Sequence, residues 1–166
     1  MNYISAEEFL KQDRTIQNVL SEWWKPKVGD LTQLVEEWDY INDKLYFSPI
    51  MMIDEEYLNV FRKTKYEYIP ILQIHHLIQF IEDKTNEKFK LDYDVKNGYN
   101  ICFYNYDDIW TYKHNLLQAL WQVVCKIAQE EVNNQKQSII CENEHGLPVV
   151  KGGGKTMREI YNEEYR

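Results

Sequence analysis

The sequence predicts a small α+β fold: a mixed antiparallel sheet packed against two or three helices, with a loosely attached C-terminal segment. Three observations predict it. Ser5-Ala6-Glu7-Glu8 forms a capping-box signature near the start of the chain, and Asn97-Gly98 separates two alternating apolar runs. Two stretches, near residues 73–84 and 108–131, repeat apolar residues at helical spacing. The 166 residues suffice for one core and leave no room for a second full domain, since domains run on the order of 100 to 150 residues.

Each element has a local reason. The capping box at Ser5, with Ile4 and Phe9 placed for a hydrophobic staple, starts a helix whose apolar positions continue through Ile16, Val19, Leu20, Trp23 and Trp24. Its spacing breaks around Asp13, and Pro26 and Gly29 end it. From Lys27 to Pro70 short β-prone pieces alternate with turn residues, clearest at Leu45–Phe47, Ile50–Ile53 and Tyr57–Phe61. After Pro70, Ile74, Leu77, Ile78 and Ile81 share one helical face. Phe89, Leu91, Tyr93 and Val95 alternate with polar residues, as do Tyr99, Ile101 and Phe103. Asn97-Gly98 between them predicts a hairpin with positive φ at both central residues. Asp107-Asp108 can cap a last helix carrying Ile109, Leu116, Leu120, Val123, Val124 and Ile127, which runs to Glu131. At Asn133 the pattern dissolves, with a short strand possible at Ser138–Cys141. The sequence therefore divides into a compact domain, 1–132, and a partly flexible extension, 133–166.

Charge follows the same division. Residues 1–132 carry 22 acidic and 14 basic side chains, which accounts for the whole net charge of −8, whereas residues 133–166 carry five of each. An acidic body disfavours direct nucleic-acid binding, which depends on Lys and Arg displacing counterions. The apolar runs are far shorter than the roughly 20 residues a bilayer requires, so no membrane association and a cytoplasmic location are expected. Cys102, Cys125 and Cys141 are odd in number and widely spaced, as plain thiols in a reducing compartment would be.

No constellation carries a reaction. Gly152-Gly153-Gly154-Lys155-Thr156 lacks the earlier glycine of a phosphate loop, Val149 standing in its place, and reads as a linker. Cys141 and His145 have zinc-like spacing but no second ligand pair. His75 and His76 are neighbours on a helix and point about 100° apart, so they cannot share a face. His114 stands alone. The carboxylate pairs Glu36-Glu37, Glu55-Glu56, Glu82-Asp83, Asp107-Asp108 and Glu130-Glu131 fall at turns and element ends, where they cap and solvate. Arg62-Lys63-Thr64-Lys65 is the one basic cluster. The pattern thus gives no catalytic residue, no metal ligand and no cofactor. Its candidate interface residues are Trp23 and Trp24, one for the core and one as an anchor, with the acidic Glu36, Glu37, Glu55 and Glu56.

Ser5 to Leu10 with Val19, Trp23-Trp24-Lys25-Pro26 and Val28-Gly29-Asp30-Leu31 resemble the opening of small phage and prophage proteins of Firmicutes. The resemblance continues through Ile69-Pro70-Ile71-Leu72, the helix Leu77 to Thr85 and Asn115 to Trp121, and covers residues 5–131. It carries no activity over to any residue, and the segment after Asn133 departs from it. What it implies is a virus-encoded accessory protein in a bacterial host, acting without catalysis on a host or phage protein. The leading expectation is an inhibitor of a defence system such as a CRISPR nuclease. The alternatives are a replication or transcription factor touching nucleic acid through Arg62–Lys65, and an unrecognised enzyme. Periodicity leaves the oligomeric state open.

Overall fold

The computed structural model describes residues 2–39, 42, 44–61 and 68–144. They form a small α+β fold that divides into two compact units, Met1–Asn133 and Asn134–Arg166. The described part of the second unit is the end of a helix.

The chain opens with β1 (Tyr3–Ile4) and α1 (Ala6–Leu10), where the Ser5 hydroxyl accepts the Glu8 N–H at 3.2 Å as the capping signature requires. The helix then breaks before α2 (Arg14–Trp23), with Asp13 in the N-cap position. Gln17 holds the break: its buried amide donates to the carbonyls of Leu10 and Gln12 at 3.1 and 2.7 Å, satisfying the last carbonyl of α1 and one in the link to α2.

Two antiparallel sheets follow where the sequence suggested one. The larger joins β1, β2 (Leu31–Asp39), β3 (Lys44–Phe47), β4 (Met51–Met52) and β5 (Tyr68–Gln73), in the order β1-β5-β2-β3 with β4 also on β2. The smaller is β6 (Lys90–Asp94), β7 (Gly98–Cys102) and β8 (Ile109–Trp110), in chain order. β5 is among the most buried strands, yet Pro70 disguised it. β1 reaches only Leu72 and Gln73, so the proline lies where β5 has β2 alone as its partner.

Tyr57–Phe61, expected as a strand, belongs instead to α3 (Glu55–Phe61). Asp54 is its cap, its carboxylate accepting the Tyr57 N–H at 2.7 Å and its carbonyl the Leu58 N–H at 2.9 Å. In α4 (Ile74–Thr85) the buried face is His76, Leu77, Phe80 and Ile81, rotated slightly from the expected stripe, and Asn86 ends the helix at φ +56°.

The last helix, α5 (Leu116–Glu144), starts later and ends later than the sequence suggests. Ile109 and Trp110 are strand, and Asn115 rather than Asp107-Asp108 caps the helix, its side chain accepting the Gln118 N–H at 3.2 Å. Beyond Asn133 the polar residues continue the helix through the position expected for a strand at Ser138–Cys141. Glutamine and lysine are good helix formers, and no glycine or proline intervenes before Gly146. None of the described helices is long and apolar enough to cross a membrane.

One cluster of buried side chains draws on both sheets and on α1, α2, α4 and α5. Phe9 stacks on Trp121 with centroids 6.5 Å apart, and Trp23 meets Phe80 edge-on at 5.2 Å. Leu120, Val123 and Val124 of α5 are fully enclosed, each such side chain contributing about 1.5–3 kcal/mol by leaving water.

The β6–β7 hairpin is present, but its turn differs from the expected one. Val95, Lys96 and Asn97 form a three-residue loop, Asp94 accepts the N–H groups of Lys96 and Asn97 at 2.9 and 2.8 Å, and only Gly98 has positive φ, at +76°. Gly98 is required twice over, because a Cβ there would lie 2.4 Å from the carbonyl oxygen of Lys113. Gly29, at φ +96°, has open space around it. Replacing Gly29 by Ala should therefore cost about 1–2 kcal/mol, from backbone strain alone. Gly98→Ala should cost ~3 kcal/mol or more, from strain and collision together. Urea unfolding of the two variants, with equal losses at both positions, would contradict this account of the turn.

Candidate functional site

Two places gather residues capable of chemistry or recognition. The first lies where β2 begins and α4 begins. Asp30, His75 and His76 each place one potential ligand atom within 4.8 Å of the others. The histidines, expected to diverge, do so in burial, His76 being enclosed and His75 exposed, yet their rings touch with centroids 3.9 Å apart. The first turn of a helix lets neighbouring rings lean together outside the cylinder.

The protons decide what this cluster does. The Gln73 N–H points at His76 Nδ1 over 3.2 Å, so that nitrogen holds a lone pair and the ring proton sits on Nε2. Nε2–H in turn donates to Asp30 Oδ1 at 3.1 Å, and Asp30 Oδ2 accepts the Lys27 N–H at 2.8 Å. A metal-ligating histidine keeps a proton on its other nitrogen and donates it outward. A metal at His76 Nε2 would force that proton against the Gln73 N–H and break the cap of α4. The same occupancy removes His76 as a general base, since its one lone pair is spent on the backbone. Burial, and then the neighbouring His75, hold the His76 pKa below its ordinary value despite the pull of Asp30. The neutral ring that the cap needs is thus the favoured one. The cluster is a structural joint.

The cysteines are equally quiet. Burial pushes the Cys125 thiol up to about 12, with Glu8 adding to it, and burial together with Asp108 and Asp92 raises Cys102. Neither supplies a thiolate near neutral pH. Several carboxylates of the acidic pairs are engaged locally. Asp83 accepts the Trp23 indole N–H at 3.0 Å, Glu131 pairs with Lys84 at 2.7 Å, Glu130 accepts the Tyr106 hydroxyl, and Asp108 accepts the Phe103 N–H at 3.1 Å.

The second place is the three-stranded sheet. Residues alternate across it, so Ile109, Ile101 and Thr111 face the core while Trp110, Asn100 and Asp92 share the other face, with Asn100 covered by its neighbours and Trp110 and Asp92 exposed. Trp110 is 43% exposed and Tyr112 70% exposed, their rings 6.5 Å apart, and Tyr112 is held at φ +53°. A bulky residue in that region is strained by roughly 1–2 kcal/mol, and here the strain buries almost nothing. In the β7–β8 loop Tyr104 is 91% exposed while its backbone is fixed, the Glu87 carboxylate accepting the N–H groups of both Tyr104 and Asn105 at 3.0 Å. Asp92, Asp94, Asp107 and Asp108 are exposed on the same sheet and its loop. The result is an aromatic surface with an acidic frame.

The residues singled out by sequence lie elsewhere. Trp24 is 5% exposed and belongs to the core, which removes it as an anchor. Trp23 is half-buried between Phe80 and Asp83, a packing role that leaves little of it for a partner. Glu36 and Glu37 are on β2, with Glu36 exposed and Glu37 opposite Tyr46. Glu55 and Glu56 are exposed in the first turn of α3, where negative charge favours the helix N-terminus. Arg62–Lys65, His145 and the Gly152–Gly154 linker lie outside the described residues. The exposed aromatic residues that were missed had a signal: Ile109-Trp110-Thr111-Tyr112 alternates in period two with β-prone residues, which the helical reading of Ile109 concealed. No protein-family model, curated protein or solved structure matches the chain.

The joint gives a signed pH dependence. Because folding lowers the His76 pKa, the folded state binds fewer protons here. The stability this residue contributes is complete above the unfolded value near 6.5 and is lost as pH falls through the lower folded value. His75, Asp30 and Lys27 are the neighbouring charges, so the comparison must be with a variant. His76→Asn should cost about 1–2 kcal/mol at pH 7.5 and flatten the fall in stability below pH ~6.5. Parallel pH profiles for the two proteins in chemical denaturation would refute the assignment.

Proposed function

We propose that the protein is a non-enzymatic binding protein that works by covering a basic surface of another protein. In the setting implied by its resemblance to phage proteins, the target is a nucleic-acid enzyme of the bacterial host, with a defence nuclease such as a CRISPR nuclease as the leading case. The observation that carries the reading is Tyr112. It is a strained, largely exposed aromatic beside an exposed tryptophan, and folding gains little from it. Aromatic residues held at a surface are the common anchors of protein interfaces, and neighbouring carboxylates steer a basic partner and speed its encounter. The net −8 of residues 1–132 extends that steering over the whole body. Exposed tyrosines could also stack on bases, but the surrounding Asp92, Asp94, Asp107 and Asp108 repel a phosphate backbone.

Tyr112→Gly separates folding from binding. Glycine relieves the positive φ, so the variant should be as stable as the parent or more stable by about 1 kcal/mol. In affinity capture from phage-infected cells, the parent should retain a nucleic-acid enzyme in near-equal amount, whereas Tyr112→Gly and Trp110→Ala should lose it. Capture of the same enzyme by all three proteins would sink the assignment of this face. Capture of no protein would sink the binding function itself.

A further inference from the structure

The backbone of β6 is as informative as the side chains beside it. All five residues, Lys90 to Asp94, are exposed, and among the described residues the strand ends its sheet with β7 on one side only. Which of its polar groups are free follows from β7. The Tyr99 N–H donates to Lys113 O at 2.9 Å, and the Tyr99 carbonyl accepts from Thr111 at 3.0 Å, so both groups of Tyr99 point toward β8. In an antiparallel ladder the direction alternates, which turns Asn100 toward β6 and makes Asp92, its opposite number, an inward-bonded residue. Leu91 and Tyr93 must then direct their N–H and C=O groups outward. Neither makes a backbone bond outside the hairpin among the described residues.

The flanking side chains sort by face. On the outer face are Lys90, Asp92 and Asp94, with Lys90 already tied to Asp92 at 2.9 Å through a highly exposed pair. On the other face are Leu91 and Tyr93, the latter fixed by its hydroxyl, 3.1 Å from His114 Nδ1. An added strand would therefore meet carboxylates on one face and apolar groups on the other, at alternate positions.

We propose that β6 is a docking strand that adds an extended segment of the partner to the sheet, a segment alternating basic and apolar side chains. Main-chain bonds to Leu91 and Tyr93 supply the attachment, while Asp92 and Asp94 select the basic side chains next to the Trp110 face. A second copy of this chain is the poorer occupant, because it would bring another body of net −8 against the first. The inference rests on the binding function proposed above and names the form of the partner.

The test uses the full chain and a synthetic peptide of about nine residues alternating lysine and valine, with the glutamate–valine peptide as control. Amide hydrogen exchange is read by NMR. Saturating lysine peptide should slow the Leu91 and Tyr93 amides by about tenfold or more and leave Asp92 unchanged, with no effect from the glutamate peptide. Unchanged Leu91 and Tyr93 amides, or equal protection by both peptides, would overturn the proposal. Protection that grows with protein concentration in the absence of peptide would overturn it in favour of self-association. The paired substitution Asp92→Lys with Asp94→Asn, which keeps an acceptor for the turn, should abolish the lysine-peptide effect. If that variant still captures from cells the enzyme that the parent captures, the docking strand fails while the binding function stands.

Discussion

The Asp30 carboxylate is nearly enclosed and ties together parts of the chain that sequence sets far apart. One oxygen takes the Lys27 N–H that closes the turn before β2, and the other takes the His76 proton at the start of α4. Its carbonyl takes the N–H of Ile53 at the end of β4. His76 passes the link onward by capping Gln73, the last residue of β5. A carboxylate in such a place is tolerable only with its partners present, since an unpaired buried charge costs several kcal/mol. The turn, β4, β5 and α4 therefore stand or fall together, and the register of the larger sheet is fixed at the same point.

That joint occupies two of the residues best suited to chemistry. The ring nitrogens of His76 and both oxygens of Asp30 have backbone or mutual partners, Cys102 and Cys125 are kept as thiols, and several carboxylates of the acidic pairs are engaged in separate bonds. The smaller sheet is where exposed aromatic residues and carboxylates come together among the described residues. There Trp110, Tyr112, several carboxylates and the outer edge of β6, unpaired among the described residues, all face outward.

The fold was legible where a local interaction sets it. Ser5 caps, the break near Asp13, the apolar face of α4 and the 89–103 hairpin all depend on residues within a turn or two of one another. Failures came where tertiary context overrules local pattern. Tyr57–Phe61 is β-prone but has Asp54 ahead of it as a cap, and Tyr68–Gln73 is a central strand that Pro70 argues against until the shortness of β1 is known. Ile109 fits the helical period of α5 by coincidence of spacing. The surface was less legible than the fold, because periodicity marks aromatic residues as buried and cannot distinguish Trp24, which is enclosed, from Trp110, which is not. The helix beyond Asn133 was obscured by composition, its residues being polar without being helix breakers.

Pairing distances along the chain differ sharply between the two sheets. Tyr3 finds its partner at Gln73, and Leu31 finds one at Ile71, whereas Asp94 is opposite Gly98 and Asn100 opposite Trp110. Loop-closure entropy rises with the length of chain enclosed, and topologies rich in distant pairings fold more slowly. Closing the smaller sheet is therefore the cheaper step. During synthesis β1 must also wait, unpaired, until some seventy further residues have been added, because β5, whose other edge takes β2, does not exist before then. The larger sheet, and not the smaller one, is the slow part of this molecule to make.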